Sequence, residues 1–132
     1  MLFGTFDGLH KGHLNLFQQA RDISPNSFLI VSIARDKNVL KIKGKKPFND
    51  EKKRKKIVED CGLVDKVLLG GVKDYLTHII KQKPDVIALG YDQQAYVKEL
   101  KKDLKSKEIS IKIKRLRPYQ ENIYKNHLLH KR

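Results

Sequence analysis

Short apolar runs alternate with helix-patterned stretches along this chain, and that alternation limits the fold more than any single residue does. Met1 to Phe3 reads as the stub of a first strand. Phe28 to Ala34 is a nearly continuous apolar run, as expected of a strand buried on both faces. Val64 to Leu69 and Val86 to Leu89 are two more. Ile109, Ile111 and Ile113 alternate with Ser110, Lys112 and Lys114, which predicts an edge strand with one wet face. Between these runs, Leu9, His13, Leu16, Phe17, Ala20 and Ile23 recur at helical spacing, until Pro25-Asn26 breaks the pattern. Asn49 or Asp50 can cap a second helix that turns Ile57, Val58 and Cys61 inward, with Gly62 placed to end it. Asp74 to Lys83 predicts a third helix, with Leu76, Ile79 and Ile80 as its buried stripe and Pro84 as its stop. Gln93 to Lys107 predicts a fourth. Lys41 to Pro47 reads as a basic loop, and Pro118 to Arg132 as a polar, basic tail.

Strands that alternate with helices imply crossover connections and a parallel sheet covered on both faces. The expected fold is α/β: a doubly wound, parallel, five-stranded sheet, with residues 1–132 as one domain. In such sheets ligands bind beyond the carboxyl ends of the strands, where strand order reverses. The segments that reach that rim are Gly4–His13, Lys41–Pro47 and Gly90–Asp92, joined by Arg115 and Arg117.

The rim segments are rich in phosphate chemistry. His10 and His13 stand three residues apart, on one side of a helix that starts near Lys11. A helix N-terminus carries partial positive charge and unpaired N–H groups, so it attracts anions. Gly12 has no side chain and leaves the backbone open to a phosphate. Asp7 is either a turn residue or, the reading favoured for a carboxylate beside phosphates, a contact for a metal or an acceptor. Lys43, in a basic loop whose lysines are either solvated or functional, joins His10, His13 and Arg117 as a candidate catalytic residue, and Tyr91 can stack on a base or simply pack. His78 reads as an ordinary helix-surface residue.

The formal net charge of +14 favours anionic partners. The lysines are spread over every predicted helix, and no aromatic-rich strand motif is present, so nucleic acid is not the expected partner. No apolar run is long enough for a membrane-spanning helix, and Leu2-Phe3 is too short for the core of a signal peptide. The single Cys61 excludes an internal disulfide and fits a reducing cytoplasm, the expected location. No nucleophile elbow, Walker lysine motif or zinc-spaced Cys/His pair is present.

The pattern G-T-F-D-x-x-H-x-G-H at 4–13 resembles the signature of the nucleotidyltransferase superfamily, in its cytidylyltransferase-like branch. The likeness continues through Ala34-Arg35-Asp36, Lys-x-Lys-Gly-x-x-Pro at 41–47, Val64-Asp65-Lys66-Val67 and Ala88–Gln93. Together these look like the archaeal-type FAD synthases (FMN adenylyltransferases), a sister group of the glycerol-3-phosphate cytidylyltransferases. The resemblance implies a Rossmann-like domain, often dimeric, that joins a nucleoside monophosphate to a phosphorylated acceptor and releases pyrophosphate. It implies ATP or CTP with Mg2+, and FMN or another phosphorylated small molecule.

Residue by residue, the resemblance implies that Gly4, Thr5, Phe6 and Asp7 line the nucleotide and acceptor pocket, and that His10 and His13 bind the phosphates. Arg54 matches a basic residue of the second helix. Gly90 and Asp92 would contact the sugar or base, and Arg115 and Arg117 would grip the triphosphate. Where the family places serine or threonine hydroxyls after the strand-five arginine, this chain has Tyr124-Lys125-Asn126-His127, in which the Asn126 amide can donate. Two readings of another class stay open on sequence alone: a nucleotide-binding protein without turnover, and a basic nucleic-acid-binding protein.

Overall fold

A computed structural model of the chain describes residues 1–71, 75–91, 93 and 97–119. Its elements are β1 (Leu2–Gly4), α1 (Lys11–Arg21), β2 (Ile30–Ile33), α2 (Asp36–Lys43) and α3 (Glu51–Asp60). After them come β3 (Lys66–Leu69), α4 (Tyr75–Gln82), β4 (Val86–Leu89), α5 (Val97–Ser106) and β5 (Lys112–Arg115). The strands form one parallel sheet in the order β3-β2-β1-β4-β5. The expected edge strand is therefore an edge, and the order reverses beside the central β1.

Alternate strand residues face opposite layers. On one face Leu2, Val31, Ile33 and Val67 pack with Phe17 and Ala20 of α1 and Val58 of α3. On the other, Ile87 and Leu89 pack with Leu76 and Ile79 of α4 and Leu100 and Leu104 of α5. Each such Leu, Ile or Phe contributes about 1.5–3 kcal/mol through burial. Helices thus cover both faces, and the carboxyl ends of the strands stay open as a rim.

Three local expectations need correction. Residues 36–43 form helix α2 where the sequence suggested that a loop begins at Lys41. Only Val39 of that helix is buried, so it leaves almost no apolar period to read, and Lys41 and Lys43 sit in its last turn, where the helix dipole favours cations. Ile80 is 37% exposed, outside the stripe made by Leu76 and Ile79. His78 is no plain surface residue: its Nε2 is 2.9 Å from the hydroxyl of Ser32, which is 3% exposed in the middle of β2. That bond satisfies a hydroxyl that would otherwise be buried without a partner. Among the described residues no helix is long and apolar enough to cross a membrane.

Candidate functional site

The two histidines of the rim are bound to each other's backbone. His10 is the N-cap of α1, and its Nδ1 accepts from the N–H of Gly12 at 3.0 Å and of His13 at 3.4 Å. In return His13 Nδ1 accepts from the N–H of His10 at 3.3 Å. The rings stack with centroids 3.8 Å apart. This reciprocal cap corrects the expectation of unpaired N–H groups at Gly12 and His13, because His10 has taken both. It also fixes the chemistry of the rings. With each Nδ1 accepting, the proton of each neutral imidazole lies on Nε2. Two Nε2–H donors are left without partners among the described residues.

Burial and the positive charge that His10 carries when protonated hold the His13 pKa below its ordinary value. Its ring meets that of Phe6 edge-on, with centroids 5.4 Å apart. Phe6 was expected to line the pocket, but at 4% exposed it belongs to the core. Its ring folds back beneath β1, so a Cβ at Gly4 would fall 2.6 Å from it. Gly12 is needed for a similar reason. A Cβ there would stand 2.8 Å from the His10 ring, so the open space beside this glycine serves the imidazole rather than a phosphate.

Asp7 is spent on structure. Its carboxylate accepts from the backbone N–H of Phe48 at 2.6 Å and of Asn49 at 2.8 Å, and from the Asn49 amide at 3.1 Å. Desolvation pushes its pKa up, but these hydrogen bonds, with Arg54 nearby, outweigh it and hold the carboxyl below its ordinary value. Asp7 thus ties the turn before the histidines to the start of α3, in place of the expected metal or acceptor contact.

Arg54 lies beneath that tie, with none of its side chain exposed. It donates to the carbonyls of Thr5 at 2.8 Å and Asn49 at 3.0 Å, and to the Asp36 carboxylate at 2.6 Å. The expected substrate-binding arginine is a buried tie, and Thr5 meets it through its backbone. Asp36 and Glu51 each accept from the other's N–H, at the first turns of α2 and α3. Arg35 joins Glu51 at 3.3 Å to the Gly70 carbonyl at 2.6 Å. The chain of bonds runs from the end of β3 to the Gly4–Asp7 turn.

On the other side of β1, Arg115 donates to the carbonyls of Gly90 at 2.9 Å and Gln93 at 2.8 Å. It shapes the turn after β4, with its charge on carbonyls instead of a triphosphate. Gln93, to which the sequence assigned no role, accepts from the Gly90 N–H at 3.2 Å. Tyr91 is 55% exposed on that turn. Arg117 is exposed beyond β5, and its guanidinium has no partner among the described residues. Lys43 is exposed at the end of α2 and makes no contact with the histidine cluster. Asp92 and Asn126 lie outside the described residues. The rim therefore joins His10, Gly12, His13, Phe6 and Gly4 in one cluster, and Gly90, Tyr91 and Arg115 in another.

This arrangement suits an extended polyanion: two imidazole donors at the centre and an unneutralised arginine at one side. Among the described residues no group of three or more His, Cys, Asp or Glu could hold a metal ion.

Comparison with known proteins agrees with that chemistry. A family profile described as cytidylyltransferase-like matches residues 1–127. An FAD synthase of Korarchaeum cryptofilum is 39% identical over 117 residues, covering 88% of this chain and 79% of that protein. An FAD synthase of Methanothermus fervidus is 39% identical over 123 residues, covering 92% and 84%. A crystal structure from Thermoplasma volcanium, described as a lipopolysaccharide core biosynthesis protein, superposes with a TM-score of 0.80 at 34% identity, covering 90% of this chain and 95% of that one.

Proposed function

The chain belongs to the cytidylyltransferase-like family, and on that footing we propose that it transfers the adenylyl group of ATP to FMN, forming FAD and releasing pyrophosphate. The observation that carries the reading is the stacked His10–His13 pair, whose Nδ1 atoms are spent on the helix cap and whose Nε2–H groups have no partner among the described residues. The archaeal relatives named FAD synthase support the choice of ATP and FMN.

In the reaction an oxygen of the FMN phosphate bonds to the α-phosphorus of ATP. The bond from that phosphorus to the bridging oxygen breaks, and its electron pair leaves with pyrophosphate. The FMN phosphate is already ionised, so no general base is required. The work of the protein is positioning and charge stabilisation. His10 and His13 donate from Nε2 to phosphate oxygens whose charge grows in the transition state. Arg117 pairs with the triphosphate, since its planar fork matches phosphate oxygens. Tyr91 offers a face to the adenine, and Gly90 lets the ribose approach the backbone.

A divalent cation, magnesium in this reading, would be held chiefly by the triphosphate, since Asp7 is committed to Phe48 and Asn49, and would supply charge neutralisation for the leaving pyrophosphate. A homodimer belongs to the same reading, and sedimentation velocity checks it. The test of the function is a panel: ATP or CTP paired with FMN or glycerol 3-phosphate, scored by pyrophosphate release. Release with ATP and FMN supports the reading; release only with CTP and glycerol 3-phosphate replaces it with the sister activity.

A further inference from the structure

Five arginines lie among the described residues, and four have partnered guanidiniums. Arg21 is held by Asp65 and the Leu63 carbonyl, and Arg35 by Gly70 and Glu51. Arg54 and Arg115 are held as described above. Arg117 alone among them keeps its guanidinium free, yet both polar groups of its backbone are held. The Gln19 amide donates to the Arg117 carbonyl at 2.9 Å and accepts from the Arg117 N–H at 2.9 Å. One side-chain amide thus satisfies both polar groups of one residue, 98 positions away in sequence.

Gln19 itself is aimed. It lies on α1, the helix whose first turn holds the histidines, and its amide also donates to Asn15 Oδ1, one turn earlier, at 2.7 Å. The preceding residue, Leu116, is anchored by its N–H to the Leu89 carbonyl at 2.7 Å and is 4% exposed. Beyond Arg117 the chain runs back along α1 toward the histidine end: Tyr119 Cβ stands 3.8 Å from where a Cβ on Gly12 would lie.

We propose that Gln19 is a positioning residue for nucleotide binding, which locks the Arg117 backbone to the histidine helix so that the free guanidinium and the His10–His13 pair meet one triphosphate in fixed register. The inference rests on the reading of Arg117 as a triphosphate ligand. A flexible arginine loses rotamer entropy when it pairs, and a fixed backbone reduces what must still be ordered on binding. Gln19 touches no substrate and acts through Arg117.

A double-mutant cycle read in KM for ATP tests this. Gln19→Ala raises that KM about threefold to tenfold, in the lower part of the coupling range for residues in contact, and leaves the KM for FMN unchanged. Arg117→Ala raises the KM for ATP further, and adding Gln19→Ala to it changes nothing more. Gln19→Glu sets a carboxylate oxygen against the Arg117 carbonyl in place of the amide donor and offers the guanidinium a competing anion, so it raises the KM for ATP at least as much as Gln19→Ala, and a wild-type KM in this variant counts against the proposal. Thermal unfolding of each variant confirms the fold. If Arg117→Ala raises the KM while Gln19→Ala does not, the positioning role is overturned and the arginine's role stands. If Gln19→Ala is equally harmful with and without Arg117, its effect is structural and the proposal falls. If Arg117→Ala leaves the KM unchanged, the underlying reading fails, and this inference with it.

Discussion

Arg54, with none of its side chain exposed, donates to the carboxylate of Asp36 at 2.6 Å. The same guanidinium holds the Thr5 and Asn49 carbonyls, so one buried cation ties α2, α3 and the turn ahead of the histidines. The carboxylate left behind on Asp36 is 35% exposed, so water offsets part of the loss. Arg54→Ala is expected to lower the unfolding free energy in urea by about 2–3 kcal/mol, chiefly through the Thr5 and Asn49 carbonyls it leaves unpaired. Arg54→Lys recovers little of that, because an ammonium cannot span three acceptors in a plane. A loss below about 1 kcal/mol, combined with a large rise in KM for ATP, would make Arg54 a substrate ligand after all.

His10 does two jobs that substitution can separate. As the cap of α1 it contributes about 1 kcal/mol to stability. As an Nε2–H donor it acts on transition-state charge, worth roughly a hundredfold or more in kcat. His10→Ala is expected to lose both. His10→Asn keeps a capping oxygen for Gly12 and His13, so stability returns and kcat does not. Thermal unfolding and steady-state kinetics on the same preparations check this; recovery of kcat by asparagine would reduce His10 to a cap. His13→Ala is expected to lower kcat comparably.

Stability should fall as acid is added. Burial, then the charge on His10, depress His13. Burial, then the charges of Arg35 and Lys81, depress His78. Both folded values lie below the ordinary 6.5, so through that window the unfolded chain binds more protons. The stability is fully present above about 6.5 and is lost as pH falls through the folded values. Protonating His13 also breaks its cap bond, because a protonated Nδ1 cannot accept from the His10 N–H. Urea midpoints at pH 7.5 and at pH 5 measure the loss. His78→Asn should flatten part of the slope, and an unchanged slope in that variant would show that His78 does not contribute.

Arg117→Lys keeps the charge and removes the fork. It is expected to raise the KM for ATP more than twofold with little change in kcat. A KM within twofold of wild type would mean that Arg117 only keeps the sheet edge soluble.

The alternation of runs made the sheet, its five strands and the rim legible in sequence, because burial on two faces writes itself into Val31, Ile33, Ile87 and Leu89. The histidine pair was legible because three-residue spacing at a helix start has local meaning. What stayed hidden was polar pairing across sequence distance. Nothing local distinguishes Arg54, buried at the centre of a lysine-rich run, from its exposed neighbours. His78 looked like surface until Ser32 supplied its partner, and nothing local marks Gln19 as the partner of Arg117. The pocket role expected of Phe6 failed for a related reason: the motif names the residue, while its left-handed backbone, φ of 51°, turns the ring into the core.

The most direct test of the account follows the phosphorus. ATP labelled at the α-phosphate is incubated with FMN, magnesium and the protein, and the flavins are separated. The account predicts label in FAD, unlabelled pyrophosphate released in equal amount, and loss of both with His10→Ala or His13→Ala. Nucleotide bound with no label reaching a flavin, while α-labelled CTP passes its label to an alditol phosphate or no pair reacts at all, would contradict it.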